Sequence, residues 1–121
     1  MESLDIRFTD VGDDWLIASM PVCNKTFQQY KVLHGGASLA LAETVGGAAS
    51  SLLIDLDNYY ANGLEINANH VKPVNKGYVN AKASIIHKGE LTHIWDIKIK
   101  DDENNLICVC RLTNVILKKG A

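Results

Sequence analysis

The stretch HGGASLALAETVGGAASSLL, His34 to Leu53, decides how the rest of this chain is read. Leu41, Val45, Ala48 and Leu52 fall on one line of a helical wheel, and Leu39, Ala42, Ala49 and Leu53 fall on another. A helix apolar on nearly every side is a buried helix. At roughly 20 residues it would run about 30 Å, the diameter of a small domain, so it is expected to thread the middle of the fold. Glu43 breaks the pattern. It sits on the line Gly36, Ala40, Glu43, Gly47, Ser50, whose other members are among the smallest residues available. A carboxylate is seldom fully buried without a partner, because taking its charge out of water is costly. An acid beside a floor of small residues is expected to have something else lying over it.

The helix should begin near Gly35, leaving free backbone N–H groups at Gly35, Gly36 and Ala37 with His34 at their mouth. Those donors and the helix dipole favour developing negative charge, and glycine lets a ligand approach the backbone. The internal pair Gly46 and Gly47 costs the helix about 1 kcal/mol per residue relative to alanine, for which close packing against another backbone is the expected reason.

Around this helix the composition is that of an ordinary globular domain. The 121 residues are 47% hydrophobic and 21% charged, enough for a single domain, 1–121, with a real core. Twelve basic against fourteen acidic side chains, a formal charge of −2, give no electrostatic case for nucleic acid. Cys23, Cys108 and Cys110 are an odd number without a CxxC pair. They read as core filler rather than as disulfides or metal ligands. There is no signal-peptide pattern ahead of the first strand and no glycine-free apolar run of spanning length, so the expected compartment is the cytoplasm, away from the membrane.

Taken in order, Ile6 to Thr9 and Trp15 to Val22 read as strands around Gly12, Asp13 and Asp14. Cys23 to Leu33 reads as a loop, long enough for so small a domain to suggest function. After the helix and a loop at Asp55 to Asn62 come four strands. Gly63 to Val71 places Leu64, Ile66, Ala68 and His70 on one side. Tyr78 to His87 carries Val79, Ala81, Ala83 and Ile85 inward, and Thr92 to Lys100 carries His93, Trp95, Ile97 and Ile99. Asp101 to Asn105 is a hairpin loop, and Leu106 to Leu117 follows with Cys108, Cys110 and Leu112 on one face. Two strands, one helix and four strands are not a βαβ repeat; they imply an α+β domain, an antiparallel sheet of about six strands wrapped around one long central helix.

The combination LHGGASLALAE followed by GLEINANHVKPV is more specific. It resembles the hotdog-fold acyl-CoA thioesterases, the small bacterial type that includes the phenylacetate-pathway, 4-hydroxybenzoyl-CoA and 1,4-dihydroxy-2-naphthoyl-CoA enzymes. The likeness runs from the first hairpin to Leu117 and is nearest to the naphthoyl-CoA group. It implies a hotdog fold, a homodimer joined through sheet edges with the active site between helices of facing subunits, and often a homotetramer. It implies acyl-CoA as substrate and no metal or redox cofactor. Glu43 would be the nucleophile or general base on the thioester carbonyl, and the N–H of Gly35 would polarise the carbonyl oxygen. Gln28 and His34 would orient the thioester or the attacking water, and His70 would lie near the coenzyme A arm.

Two positions depart from that pattern. Where relatives can carry a hydroxyl one turn after the acid, this chain has Gly47, leaving the role vacant or to Ser50. After Gly89, where relatives can carry a polar and a basic residue near the coenzyme A phosphates, this chain has Glu90 and Leu91. Phosphate contacts would then fall to Lys72, Lys88 or the backbone of Gly89. Bland readings stand beside these. Glu43 as a structural acid paired with a lysine, His34 as a helix cap and His70 as a strand-end histidine all fit the same residues, and His87 and His93 read as surface or interface residues. The resulting expectation is hydrolysis of an aromatic acyl-CoA, 1,4-dihydroxy-2-naphthoyl-CoA on the menaquinone route first. A broader phenylacetyl-CoA or aliphatic acyl-CoA thioesterase, or a non-catalytic acyl-CoA-binding protein, is the alternative.

Overall fold

A computed structural model describes residues 4–23 and 33–120. The elements run β1 (Arg7–Val11), β2 (Trp15–Pro21), α1 (Gly35–Ser51), β3 (Tyr59–His70), β4 (Tyr78–Lys88), β5 (Thr92–Asp101) and β6 (Leu106–Lys118). The strands form one sheet in the order β1-β2-β4-β5-β6-β3, every pair antiparallel. α1 lies across it, touching β2 through β6, as the hotdog arrangement requires. Gln28 lies outside the described residues.

Alternation places the core where the period-two reading puts it. Val79, Ala81 and Ala83 of β4, Trp95, Ile97 and Ile99 of β5, and Cys108, Cys110 and Leu112 of β6 are buried on the helix side of the sheet. Leu41 and Val45 of α1 are fully buried against them, each contributing about 1.5–3 kcal/mol. The alanines of β4 leave room for the helix. Gly46 does the same from the helix side, since a Cβ there would stand 2.3 Å from Leu112 Cδ2 and 3.1 Å from Ile97 Cδ1. The neighbours are side chains rather than a backbone. Gly47 meets nothing within 4 Å, so the expected reason for the glycine pair holds, in altered form, for Gly46 alone.

Three expectations change. β3 starts at Tyr59 rather than Gly63, after a tight turn in which Asp55 Oδ1 accepts the Asp57 N–H and Asp55 Oδ2 accepts Asn58 Nδ2. A register shift between Gly63 and Glu65 puts Leu64 outside the ladder and leaves it 64% exposed, out of the row expected to run through Leu64, Ile66, Ala68 and His70. The helix is not buried on all sides. Ala37, Ser38, Leu41, Ala42, Val45, Gly46, Ala49 and Ser50 are buried, while Leu39, Ala40, Thr44, Gly47, Ala48 and Ser51 are only partly covered and Glu43 is exposed. One sheet can cover only one side of a helix, so the remaining apolar surface is left open by the described elements. Among the described residues no helix is long and apolar enough to cross a membrane.

Candidate active site

The start of α1 is closed by its own cap. His34 has extended backbone, and its Nδ1 accepts the Gly36 N–H at 2.9 Å. Its carbonyl takes the N–H groups of Ala37 at 2.9 Å and Ser38 at 3.3 Å. Of the first four helical amides this leaves Gly35, whose N–H has no acceptor among the described residues. An Nδ1 that accepts a backbone N–H carries no proton, so the proton of the neutral imidazole is on Nε2, at the exposed edge of the ring. The cap reading of His34 is therefore observed, and it fixes which edge of the ring is a donor.

His70 closes the same end from the sheet. As the last residue of β3 it sits against Gly35, where an added Cβ would lie 3.1 Å from His70 Nε2. Beside them is a cavity of about 330 Å³ walled by Leu33, Val74 and Ile107 and bearing Gly35, Ser38, His70 and Lys72. Gly35, His34, His70 and Lys72 thus gather at one end of the helix. Gly89 does not join them. It opens, with Lys88 and Tyr59, onto a second cavity that includes Leu53 and Ile54, beyond the far end of α1.

Glu43 stands halfway along the open face of α1, with no ion pair or hydrogen bond among the described residues. Among the described residues no lysine pairs with this acid, so the structural reading of Glu43 finds no partner there. Its distance from Gly35 is the informative quantity: eight residues of helix, about 12 Å along the axis. Gly47, one turn beyond Glu43, has open space over it, and next along the helix Ala48, Ser51 and Leu52 face Phe8, Thr9, Asp10, Val11 and Leu16 across a largely apolar trough of about 620 Å³.

Ser50, the alternative to a vacant hydroxyl role at Gly47, is fully buried. It lies on the Glu43 stripe two turns on, where the sheet curls far enough to cover it. Trp95 Nε1 donates to its Oγ at 2.7 Å and Asn114 Nδ2 at 2.9 Å, and His93 Nδ1 lies 2.9 Å away. Two donors occupy the oxygen's two lone pairs, so the hydroxyl hydrogen goes to His93 Nδ1 and the imidazole is neutral with its proton on Nε2. Burial, then Lys88 and His87, lower the His93 pKa from its usual value. His93, read as a surface or interface residue, is 1% exposed. The alternation that put it on the inward face with Trp95 and Ile97 was the signal that locates it.

Cys108 and Cys110 are buried core residues with sulfurs 3.6 Å apart, one thiol donating to the other. That contact and burial push the Cys110 thiol up. Among the described residues no group of His, Cys, Asp and Glu could hold a metal ion.

Residues 30–108 match the sequence model of the thioesterase superfamily. The chain is 45% identical over 114 residues to the 1,4-dihydroxy-2-naphthoyl-CoA hydrolase of Escherichia coli K12, covering 94% of this chain and 83% of the relative. Among solved structures, a variant of a Pseudomonas aeruginosa thioesterase is similar with a TM-score of 0.94 and 45% identity, over 95% of this chain and 83% of that one. A variant of a Staphylococcus aureus thioesterase gives 0.93 and 44%, over 95% of both chains. A second variant of that S. aureus protein gives 0.95 and 44%, over 97% of both. In the two S. aureus variants a glutamine and a glutamate fifteen positions apart are replaced by alanine, one in each. Gln28 and Glu43 have the same separation here.

Proposed function

Because the chain belongs to the thioesterase superfamily, a family of thioester hydrolases, we propose that its substrate is an aromatic acyl-CoA, with 1,4-dihydroxy-2-naphthoyl-CoA as the preferred ester, and that Glu43 drives the attack. The observation that carries this reading is the unpaired Glu43 carboxylate on the open face of α1, with the unobstructed Gly47 and an apolar trough beside it. A flat, largely apolar acyl group suits that trough. The name of the E. coli relative supports the naphthoyl ester, and the shared glutamine-to-glutamate spacing supports Gln28 and Glu43 as parts of one site.

In this reading the Gly35 N–H donates to the thioester oxygen as it becomes an oxyanion, in a position where the helix dipole adds to the attraction. The Nε2–H of His34 and the side chain of Gln28 hold the ester or the water. Glu43 either attacks the carbonyl carbon or removes a proton from the attacking water. The C–S bond then breaks and the coenzyme A thiolate takes up a proton, supplied in either route by the water consumed. In the nucleophilic route the acyl group first rests on Glu43 as an anhydride, which that water hydrolyses to the free acid and the Glu43 carboxylate. His70 and Lys72 receive the coenzyme A arm at the helix start; Gly89, at the far end, would contact it only across subunits.

About 12 Å of helix axis lies between Gly35 and Glu43 while each must come within about 3 Å of the reacting group, a spacing that favours a site shared by two helices over one built on a single helix. A second copy of the chain supplies the missing half. The open apolar side of α1 and the exposed edge strand β3, with Leu64 and Tyr60 outward, are the surfaces that favour such a homodimer. A homotetramer would cover more of the helix face.

The test is thiol release from a panel of aromatic and fatty acyl-CoA esters, with wild type and Glu43→Ala side by side. Wild type should favour the aromatic esters in kcat/KM, and Glu43→Ala should lose several orders of magnitude with an unchanged melting temperature. Glu43→Gln and Glu43→Asp then separate the need for charge from the need for reach. Full activity in Glu43→Ala would remove that residue from the mechanism. Tight binding without thiol release by wild type would instead identify an acyl-CoA-binding protein.

A further inference from the structure

One polar group at the start of α1 has no role in the site as described so far. Ser38 is 2% exposed and lines the cavity beside Gly35 and His70. Its N–H is held by the His34 carbonyl, but its hydroxyl has no hydrogen-bond partner among the described residues. Thr44, by contrast, bonds back to the Ala40 carbonyl at 2.7 Å, and Ser50 is bonded on every side. Every side-chain polar atom completely shut off from solvent has a partner among the described residues. The Ser38 hydroxyl must therefore keep an opening, and the opening available to it is the cavity.

Packing does not account for this serine. In a helix interior alanine is better by several tenths of a kcal/mol, and it would bring no polar atom to a buried position. Ser38 neither bonds back to the preceding turn nor caps the helix, so its hydroxyl is available to a group entering the cavity. The cavity indicates what that is. Leu33, Val74 and Ile107 line it on the apolar side and His70 and Lys72 on the polar side, while the free Gly35 N–H and the Ser38 hydroxyl lie one helical turn apart along it. A slot of this mixed lining fits a slim arm in which methylenes alternate with carbonyls.

We propose that Ser38 is a further substrate-binding residue whose hydroxyl donates to a carbonyl oxygen of the acyl-thioester arm beside the Gly35 N–H. This rests on the thioesterase reading of the same site. The carbonyl is either that of the thioester or that of the neighbouring amide of the pantetheine arm, and the chemistry of recognition is the same for both.

The experiment compares wild type with Ser38→Ala on one aromatic acyl group carried by coenzyme A, by N-acetylcysteamine, which keeps one amide, and by ethanethiol, which has none. Melting temperatures are measured in parallel. Ser38→Ala should lose about five- to tenfold in kcat/KM, the range for one neutral hydrogen bond, with its melting temperature unchanged or raised. Loss on all three esters assigns the bond to the thioester carbonyl. Loss confined to the two amide-bearing esters assigns it to the amide. Unchanged kcat/KM on every ester overturns the proposal, and so does a loss of activity that tracks a lowered melting temperature. Absence of thiol release in wild type would reject the underlying thioesterase reading, an outcome distinct from failure of the Ser38 variant alone.

Discussion

His70 and Gly35 are in contact across the start of the helix: the imidazole occupies the space in which any other residue at position 35 would place its Cβ, 3.1 Å from Nε2 and 3.2 Å from Cε1. Its backbone is ordinary helix, so what a side chain at position 35 would meet is crowding by the imidazole rather than backbone strain. Gly35→Ala keeps the N–H donor but must push the ring away by a few tenths of an ångström. Misplacements of that order cost activity more than stability. We expect kcat/KM to fall by about ten- to a hundredfold. In a His70→Ala background the same change should cost much less. Equal losses in both backgrounds would mean that the ring is not the obstacle.

The separation of Gly35 and Glu43 on one helix predicts complementation between inactive chains. His34→Asn keeps a good helix cap and removes the imidazole, and Glu43→Ala removes the acid. In a heterodimer of the two, one site has lost both groups and the other has kept both. Random mixing of equal amounts should then restore about a quarter of wild-type activity, because half of the dimers are mixed and each has one intact site. Recovery no greater than the sum of the two separate variants would place both groups in one chain.

Adjacent glycines predict opposite effects. Gly46→Ala drives a methyl into Leu112 and Ile97 and should destabilise by about 1–3 kcal/mol. Gly47→Ala meets open space and gains helix propensity, about 1 kcal/mol, which would raise the melting temperature by several degrees. The same methyl would fill open space one helical turn from Glu43, so on the proposed reading kcat/KM for bulky aromatic esters should fall. A stabilised Gly47→Ala enzyme with full activity would show that the acyl group takes another route.

Below neutrality the Ser50–His93 bond should cost stability. The folded-state pKa of His93 is lowered by burial and by Lys88 and His87. The unfolded chain therefore binds this proton first, at about pH 6.5, while the folded chain resists it. Stability is complete above that pH and falls as pH drops through the window between the ordinary value and the lowered folded one. Thermal melts from pH 8 to pH 5 should show this loss, and His93→Gln should flatten it. An identical pH slope in wild type and variant would mean that His93 does not contribute.

Much of this architecture was legible in residue order. The inward rows of β4, β5 and β6 are read correctly because a strand has only two faces, and one row of Val, Ala, Ile and Cys can go only to the core. Leu64 defeats the same rule because a single extra residue at Gly63/Glu65 turns it outward, and alternation carries no mark of a bulge on an edge strand. At the site, the glycine-rich helix start and Glu43 were visible as residues out of keeping with their surroundings. Ser38 and the partners of Ser50 were not.

By itself, then, the sequence determined that a long apolar helix carries one acid, that its start is built of glycines behind a histidine, and that six strands surround it. Local periodicity suffices for that. Only the tertiary structure decided how far the sheet curls around the helix, and hence that Glu43 lies open while Ser50, on the same stripe, lies under Trp95 and Asn114. A helical wheel gives angles about one axis. Whether a given angle faces core or solvent depends on where strands distant in sequence end, and that is fixed only when the sheet closes over the helix.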